Sequence, residues 1–71
     1  MTKNKFIEKI KDILLIEGEA GIDYFVKIDS LASLMLIEFF DENFDFKLTS
    51  ETLQQIKTIG DFVELVDGRL Q

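Results

Sequence analysis

The side chains of this chain that can do chemistry are hydroxyls, carboxylates and lysines. Its 71 residues include no histidine and no cysteine. There is therefore no imidazole base, no thiolate nucleophile and no usual ligand set for a transition metal. One juncture stands out among the groups that remain: Ile28-Asp29-Ser30-Leu31 directly precedes an apolar stretch with helical spacing. Ser30 is expected there as a helix N-cap, its hydroxyl accepting a bond from the free amides of the first turn. A serine in that position commonly does nothing more, and Asp-Ser-Leu by itself is an ordinary tripeptide. As a hydrolytic nucleophile Ser30 would have no base to activate it. Paired carboxylates at Glu17 and Glu19, or Asp41 and Glu42, show no sign of a pocket that would shift their ionisation towards acid-base work. Asp41-x-Asn43-x-Asp45 opens like a calcium loop, but Phe46 stands at its glycine position and Thr52 at its closing glutamate. No catalytic residue and no metal ligand are assigned, and the chain is not expected to be an enzyme.

The elements that must present this juncture are read from apolar spacing. A chain this short forms one domain, 1–71, and buries only about 60% of its unfolded surface. Phe6, Ile10, Ile13 and Leu14 follow the three-four rhythm of a helix over about 3–17, with Gly18 as its stop. Residues 18–29 read as a long ordered loop, of the kind that is functional or pinned by its own aromatics. A second helix covers about 30–43, a short third about 50–55 behind Thr49 or Ser50, and a fourth about 59–67. Thr58 and Asp61 have the spacing of a capping box for that last helix. The fold class is all-α, a small bundle of three main helices plus one short one. The expected core is Phe6, Ile10, Ile13, Leu14, Ile37, Phe40, Phe44, Leu48, Ile56, Ile59, Phe62, Val63 and Val66.

The second helix carries apolar residues on two sides. Leu34, Leu36, Ile37, Phe40 and Phe44 fall within an arc of about 160°, the expected core face. Leu31, Met35 and Phe39 fall on a separate arc beside Glu38 and Glu42. Either the preceding loop folds over this second face, or part of it is an exposed docking patch.

Charge narrows the partners. The net charge is -6. Residues 1–11 hold four lysines against Glu8, whereas the remainder holds four bases against thirteen acids. A surface of that sign repels phosphate backbones, so nucleic acid is not an expected ligand. No apolar run exceeds five residues, far short of the roughly 20 needed to span a bilayer, and no signal-peptide pattern is present. The expectation is a soluble, cytoplasmic monomer.

The order and distances of three elements carry a resemblance. Asp29-Ser30-Leu31 follows about thirty residues of helix and loop. An apolar helix comes next, then Phe44-Asp45-Phe46-Lys47-Leu48, a short helix, and Lys57-Thr58-Ile59-Gly60-Asp61-Phe62-Val63. Over essentially its whole length the chain resembles the acyl carrier protein superfamily, whose attachment motif is Asp-Ser-Leu and whose last helix often opens with a Thr-Val-Gly-Asp-Leu-like string. The resemblance implies 4'-phosphopantetheine esterified to Ser30 by a phosphopantetheinyl transferase, with Asp29 engaged in recognising that enzyme. The arm's thiol would carry an acyl or aminoacyl group as a thioester, supplied by a loading ligase, acyltransferase or adenylation enzyme and consumed by a downstream synthase or transferase. A helix N-terminus suits the phosphodiester, since its unpaired amides and dipole favour an anion. Leu31, Met35, Glu38, Phe39, Asp41 and Glu42 are the implied partner-binding residues.

Two departures point away from housekeeping fatty-acid synthesis. Many fatty-acid carriers have Gly two residues before the Asp and acids soon after the Leu; here those places hold Lys27 and Ala32-Ser33-Leu34-Met35. The acids are displaced to Glu38, Asp41 and Glu42. The pattern looks more like a stand-alone carrier of a dedicated acyl, polyketide or aminoacyl route. The rival reading is an unmodified helical interaction domain that keeps the carrier fold.

Overall fold

The computed structural model describes residues 1–71 and shows an all-α bundle of four α-helices with no strand beyond one isolated bridge. Helix α1 runs Lys3–Leu14, α2 Ser30–Phe44, α3 Ser50–Gln55 and α4 Ile59–Val66, the last followed by a 3-10 turn at Asp67–Arg69. Each helix starts on a residue that supplies an acceptor for its free amides. Thr2 Oγ1 accepts from Lys5 N at 3.2 Å, and Thr49 Oγ1 accepts from Thr52 N at 3.2 Å. Thr58 and Asp61 form the reciprocal capping box expected from their spacing.

Helix α1 is shorter than its apolar spacing suggests. It stops at Leu14 because Leu15 takes the left-handed conformation (φ 58°), and the Lys11 and Asp12 carbonyls are closed off by the amides of Ile16 and Leu15 at 2.9 and 3.3 Å. Gly18 also has positive φ, but it lies in the loop beyond. Helix α4 likewise ends one residue early, where Asp67 enters the 3-10 turn.

The core is built around phenylalanines. Phe6 meets Phe40 and Phe44 edge-on at 5.8 and 5.6 Å between ring centroids, and Phe40 reaches Phe62 of α4 at 6.1 Å. Phe6, near the start of α1, thus packs on the end of α2. Ile13, near the end of α1, shares a surface cleft with Met35 and Phe39. Helices α1 and α2 are therefore antiparallel, and the C-terminus of α1 lies at the same end of the bundle as the N-terminus of α2. Arg69 closes the other end: its guanidinium donates to the Phe44 carbonyl at 3.3 Å and lies 5.5 Å from the Phe46 ring centroid.

Most of the expected core is buried, with three of its residues less buried than expected and three others added. Ile13, Leu14 and Ile37 are half-buried, while Ala32, Leu36 and Leu53 are buried. The buried stripe of α2 is Ala32, Leu36, Phe40 and Phe44, so the helix faces inward around Ala32 and not around Leu34. Leu34 lies about 140° from the centre of that stripe at 100° per residue, and it is 67% exposed. The expected core-facing arc, from Leu36 through Phe40 to Leu34, is thus turned too far towards Leu34: the buried stripe is centred between Leu36 and Phe40 and begins at Ala32. Leu36→Ala is expected to cost about 2–5 kcal/mol, the range for truncating a buried leucine. Leu34→Ser should stay within about 0.5 kcal/mol of the wild type. Urea unfolding of the two variants checks this, and equal losses would contradict the orientation of α2.

Candidate functional site

The site begins with how residues 15–29 are held. Three backbone bonds fasten this loop to the start of α4: Val26 N donates to Lys57 O at 2.9 Å, Ile59 N to Tyr24 O at 3.1 Å, and Gly60 N to Ile22 O at 2.7 Å. Phe25 and Thr58 pair as an isolated antiparallel bridge. The Gly60 contact is as close as a glycine permits. A Cβ there would sit 2.8 Å from the Ile22 carbonyl oxygen, a backbone atom with little freedom to retreat. In a helix, Gly→Ala ordinarily gains about 1 kcal/mol. Here the sign reverses, and Gly60→Ala should lose roughly 1–3 kcal/mol through overpacking, read from its denaturation midpoint.

Asp61 locks the same corner. Its Oδ2 accepts from the amides of Lys57 at 2.8 Å and Thr58 at 3.1 Å, and its own amide donates to the Thr58 hydroxyl oxygen at 3.3 Å. The Lys57 amide first, then the Thr58 amide, hold its carboxyl below the ordinary value of 3.8. With the folded value depressed, the contribution to stability is fully present above 3.8 and is lost as pH falls through the folded value. Asp61→Asn should remove that component of the acid limb, checked by comparing melting temperatures of the two proteins on either side of pH 3.8.

With its start pinned, the loop runs extended into α2. Val26 and Ile28 turn inward against the core, while Phe25, Lys27 and Asp29 face out, the period of two expected of extended chain. Asp29, not Ser30, is the N-cap. Its Oδ1 accepts from Ala32 N at 2.8 Å, and its carbonyl takes both the amide and the hydroxyl of Ser33 at 2.9 Å. Aspartate caps as well as serine does, and its longer side chain reaches the third residue on. Ser30 becomes the first helical residue, exposed, with a hydroxyl that enters none of these capping bonds. No acid occupies the first turn of α2, so the positive end of the helix is not neutralised beyond Asp29.

The remaining residues named from sequence divide. Leu31 is 67% exposed and Met35 43%, and the loop does not cover them. Glu38, Asp41 and Glu42 are exposed along the same helix. Glu38 borders two shallow clefts, one with Leu34, Ile37 and Asp41 and the other with Ile13, Met35 and Glu42. Phe39 is half-buried, its ring 6.0 Å from those of Phe6 and Phe44, so it serves as a wall of the core with one edge in the second cleft. Leu34 joins the exposed apolar surface; its place on a helix with apolar residues on two sides was the signal. Asp41 and Asn43 lie inside α2, and Asn43 Nδ2 donates to Phe39 O at 2.9 Å, which leaves no open loop for calcium.

Compared with protein-family models, curated proteins and solved structures, the chain matches none. No helix is long and apolar enough to cross a membrane.

Asp29 thus has a structural task at the site, and a charge besides. Asp29→Ala should cost about 1 kcal/mol through the lost cap, whereas Asp29→Asn, also a good cap, should melt close to the wild type. Thermal denaturation of the pair isolates the cap from the charge.

Proposed function

We propose that this chain is a cytoplasmic carrier protein, not itself an enzyme, that tethers an acyl or aminoacyl group as a thioester on 4'-phosphopantetheine attached to Ser30. The observation that carries the reading is the exposed Ser30 hydroxyl at the mouth of α2, released from capping by Asp29 and directed outward at one end of the bundle. The resemblance of Asp29-Ser30-Leu31 and Thr58-Ile59-Gly60-Asp61 to the carrier superfamily supports it.

The residues present fit the group. A phosphodiester on the first helical residue meets unpaired first-turn amides and the positive end of the helix. The carboxylate of Asp29 has one oxygen committed to Ala32 and a second free for a cation or a basic side chain of a transferase. In the attachment step the Ser30 oxygen bonds to the phosphorus of coenzyme A that bears the pantetheine. The pyrophosphate bond breaks, adenosine 3',5'-bisphosphate leaves, and the serine proton passes to the transferase. The arm then supplies the thiol that this composition lacks.

Glu38, Asp41 and Glu42, beside the exposed Leu31 and Met35, suit basic partner enzymes: a phosphopantetheinyl transferase, a loading ligase, acyltransferase or adenylation enzyme, and a downstream synthase or transferase. With coenzyme A, magnesium and a broad-specificity transferase, the wild type should gain about 340 Da, the mass of the added group, and Ser30→Ala should gain none. Asp29→Asn should fold normally yet be modified more slowly. A wild-type mass unchanged by several such transferases would leave the unmodified interaction domain as the better reading.

A further inference from the structure

Charge is sorted between two neighbouring helices. Lys3, Lys5, Lys9 and Lys11 lie on α1, whereas α2 carries Glu38, Asp41 and Glu42 and no base. Helical spacing shows which of these share a surface. At 100° per residue, Phe6 and Ile10 mark the buried side of α1; Ile13 lies about 40° from their mean direction, Lys9 about 80° and Lys5 about 120°, all to the same side. On α2, Phe39, Met35 and Glu42 lie about 80°, 120° and 140° to one side of the buried stripe, and Glu38 stands opposite the core. Ile13, Met35, Glu38, Phe39 and Glu42 line one cleft of about 240 Å³, so these two flanks meet on one face of the bundle.

That face has an apolar strip along its middle, lysines along α1 and glutamates along α2. Lys5, Lys9, Glu38 and Glu42 are exposed, as is Met35 in the strip. Lys5 and Lys9 are four residues apart, about 6 Å along the helix, and so are Glu38 and Glu42. The Phe6 ring lies 6.0 Å from that of Phe39 and 5.6 Å from that of Phe44. Lys5 is therefore level with the region of Glu42. Because the helices are antiparallel, Lys9 is level with the region of Glu38.

A face divided in this way is complementary to itself. A two-fold axis lying in it, parallel to the helices, lays each copy's α1 over the other copy's α2 without changing levels. The geometry points to a second copy of this chain as the occupant of the face. In this two-fold dimer Lys5 and Lys9 of each copy pair with Glu42 and Glu38 of the other, and the strips of Ile13, Met35 and Phe39 meet along the axis. A two-fold axis across the helices would set lysine on lysine, so the charges also choose the orientation.

The net charge of -6 opposes association. At physiological ionic strength, however, exposed charges more than about 8 Å apart are largely screened, which leaves the contacting pairs to decide. Helix α1 is about 18 Å long and packed helix axes are about 8–10 Å apart, so the face offers on the order of 400 Å² per copy, half the roughly 800 Å² of a standard interface. The dimer is accordingly weak and reversible, with a Kd on the order of 100 μM. While formed, it covers Met35, Glu38 and Glu42 and excludes any other partner from them. It does not rest on the carrier reading, and either can fail without the other.

Sedimentation equilibrium of the unmodified protein at up to about 1 mM, in about 0.15 M salt, tests this. The wild type should fit a monomer–dimer equilibrium. Lys5→Glu/Lys9→Glu and Glu38→Lys/Glu42→Lys change only exposed positions and both remain net negative. Each should be monomeric alone, with the circular dichroism of the wild type. Mixed one to one, they should dimerise again, since each then presents only opposite charges to the other. A wild type that is monomeric throughout, a dimer that persists in either variant, a mixture that stays monomeric, or growth beyond two copies would overturn the inference.

Discussion

Burial of Phe40 among Phe6, Phe44 and Phe62 is the interaction on which the rest of this molecule depends. It ties α1, α2 and α4 together in a chain too short to hold a second core. The ring contacts fix α1 antiparallel to α2, and that relation puts the end of α1 beside Ser30. Ser30, at the start of α2, and the C-terminus of α1 share one end of the bundle for this reason. Arg69 then seals the opposite end against the Phe44 carbonyl and the Phe46 ring.

The second constraint is on the loop. An irregular stretch of about fifteen residues would carry a large conformational entropy if left free. Here it is fastened through Ile22, Tyr24 and Val26 to the first residues of α4, at a corner already rigid through the Thr58–Asp61 box. The chain between that corner and α2 is extended, with alternate residues inward. Asp29 therefore arrives at the helix start in position to cap it, and Ser30 arrives facing out. The chemistry proposed for Ser30 needs this division of labour, since a serine engaged as a cap would have its hydroxyl turned towards the first-turn amides.

Charge and apolar surface are also divided along α2. Its first two turns expose Leu31, Leu34 and Met35, and its acids come only from Glu38 onward. A partner of the kind proposed for Ser30 would meet apolar contact first and negative charge farther along, an arrangement in which charge steers encounter and apolar burial supplies affinity. The net charge of the whole chain gives no hint of this order.

The helices, the caps of α3 and α4 and most of the aromatic core were legible in the sequence because each rests on local information: three-four spacing, Thr49 and the Thr58–Asp61 pair. The Asp29-Ser30 juncture was legible too, by residue type and position. What the sequence could not decide was anything set by which side of a helix its neighbours approach. It placed Leu34 on the core face of α2 and passed over Ala32, because the apolar arc is wide and spacing alone does not say which part of it the neighbouring helices meet. It assigned the cap to Ser30, since both candidates cap well and only the path of the loop puts Asp29 at the right φ and ψ. It ran α1 on to Gly18, because no local rule anticipates a leucine in the left-handed region. The sequence alone determined the elements and placed Ser30 at the start of α2. Tertiary packing decided which groups stand free around that residue, since exposure belongs to the assembled surface and not to any one segment.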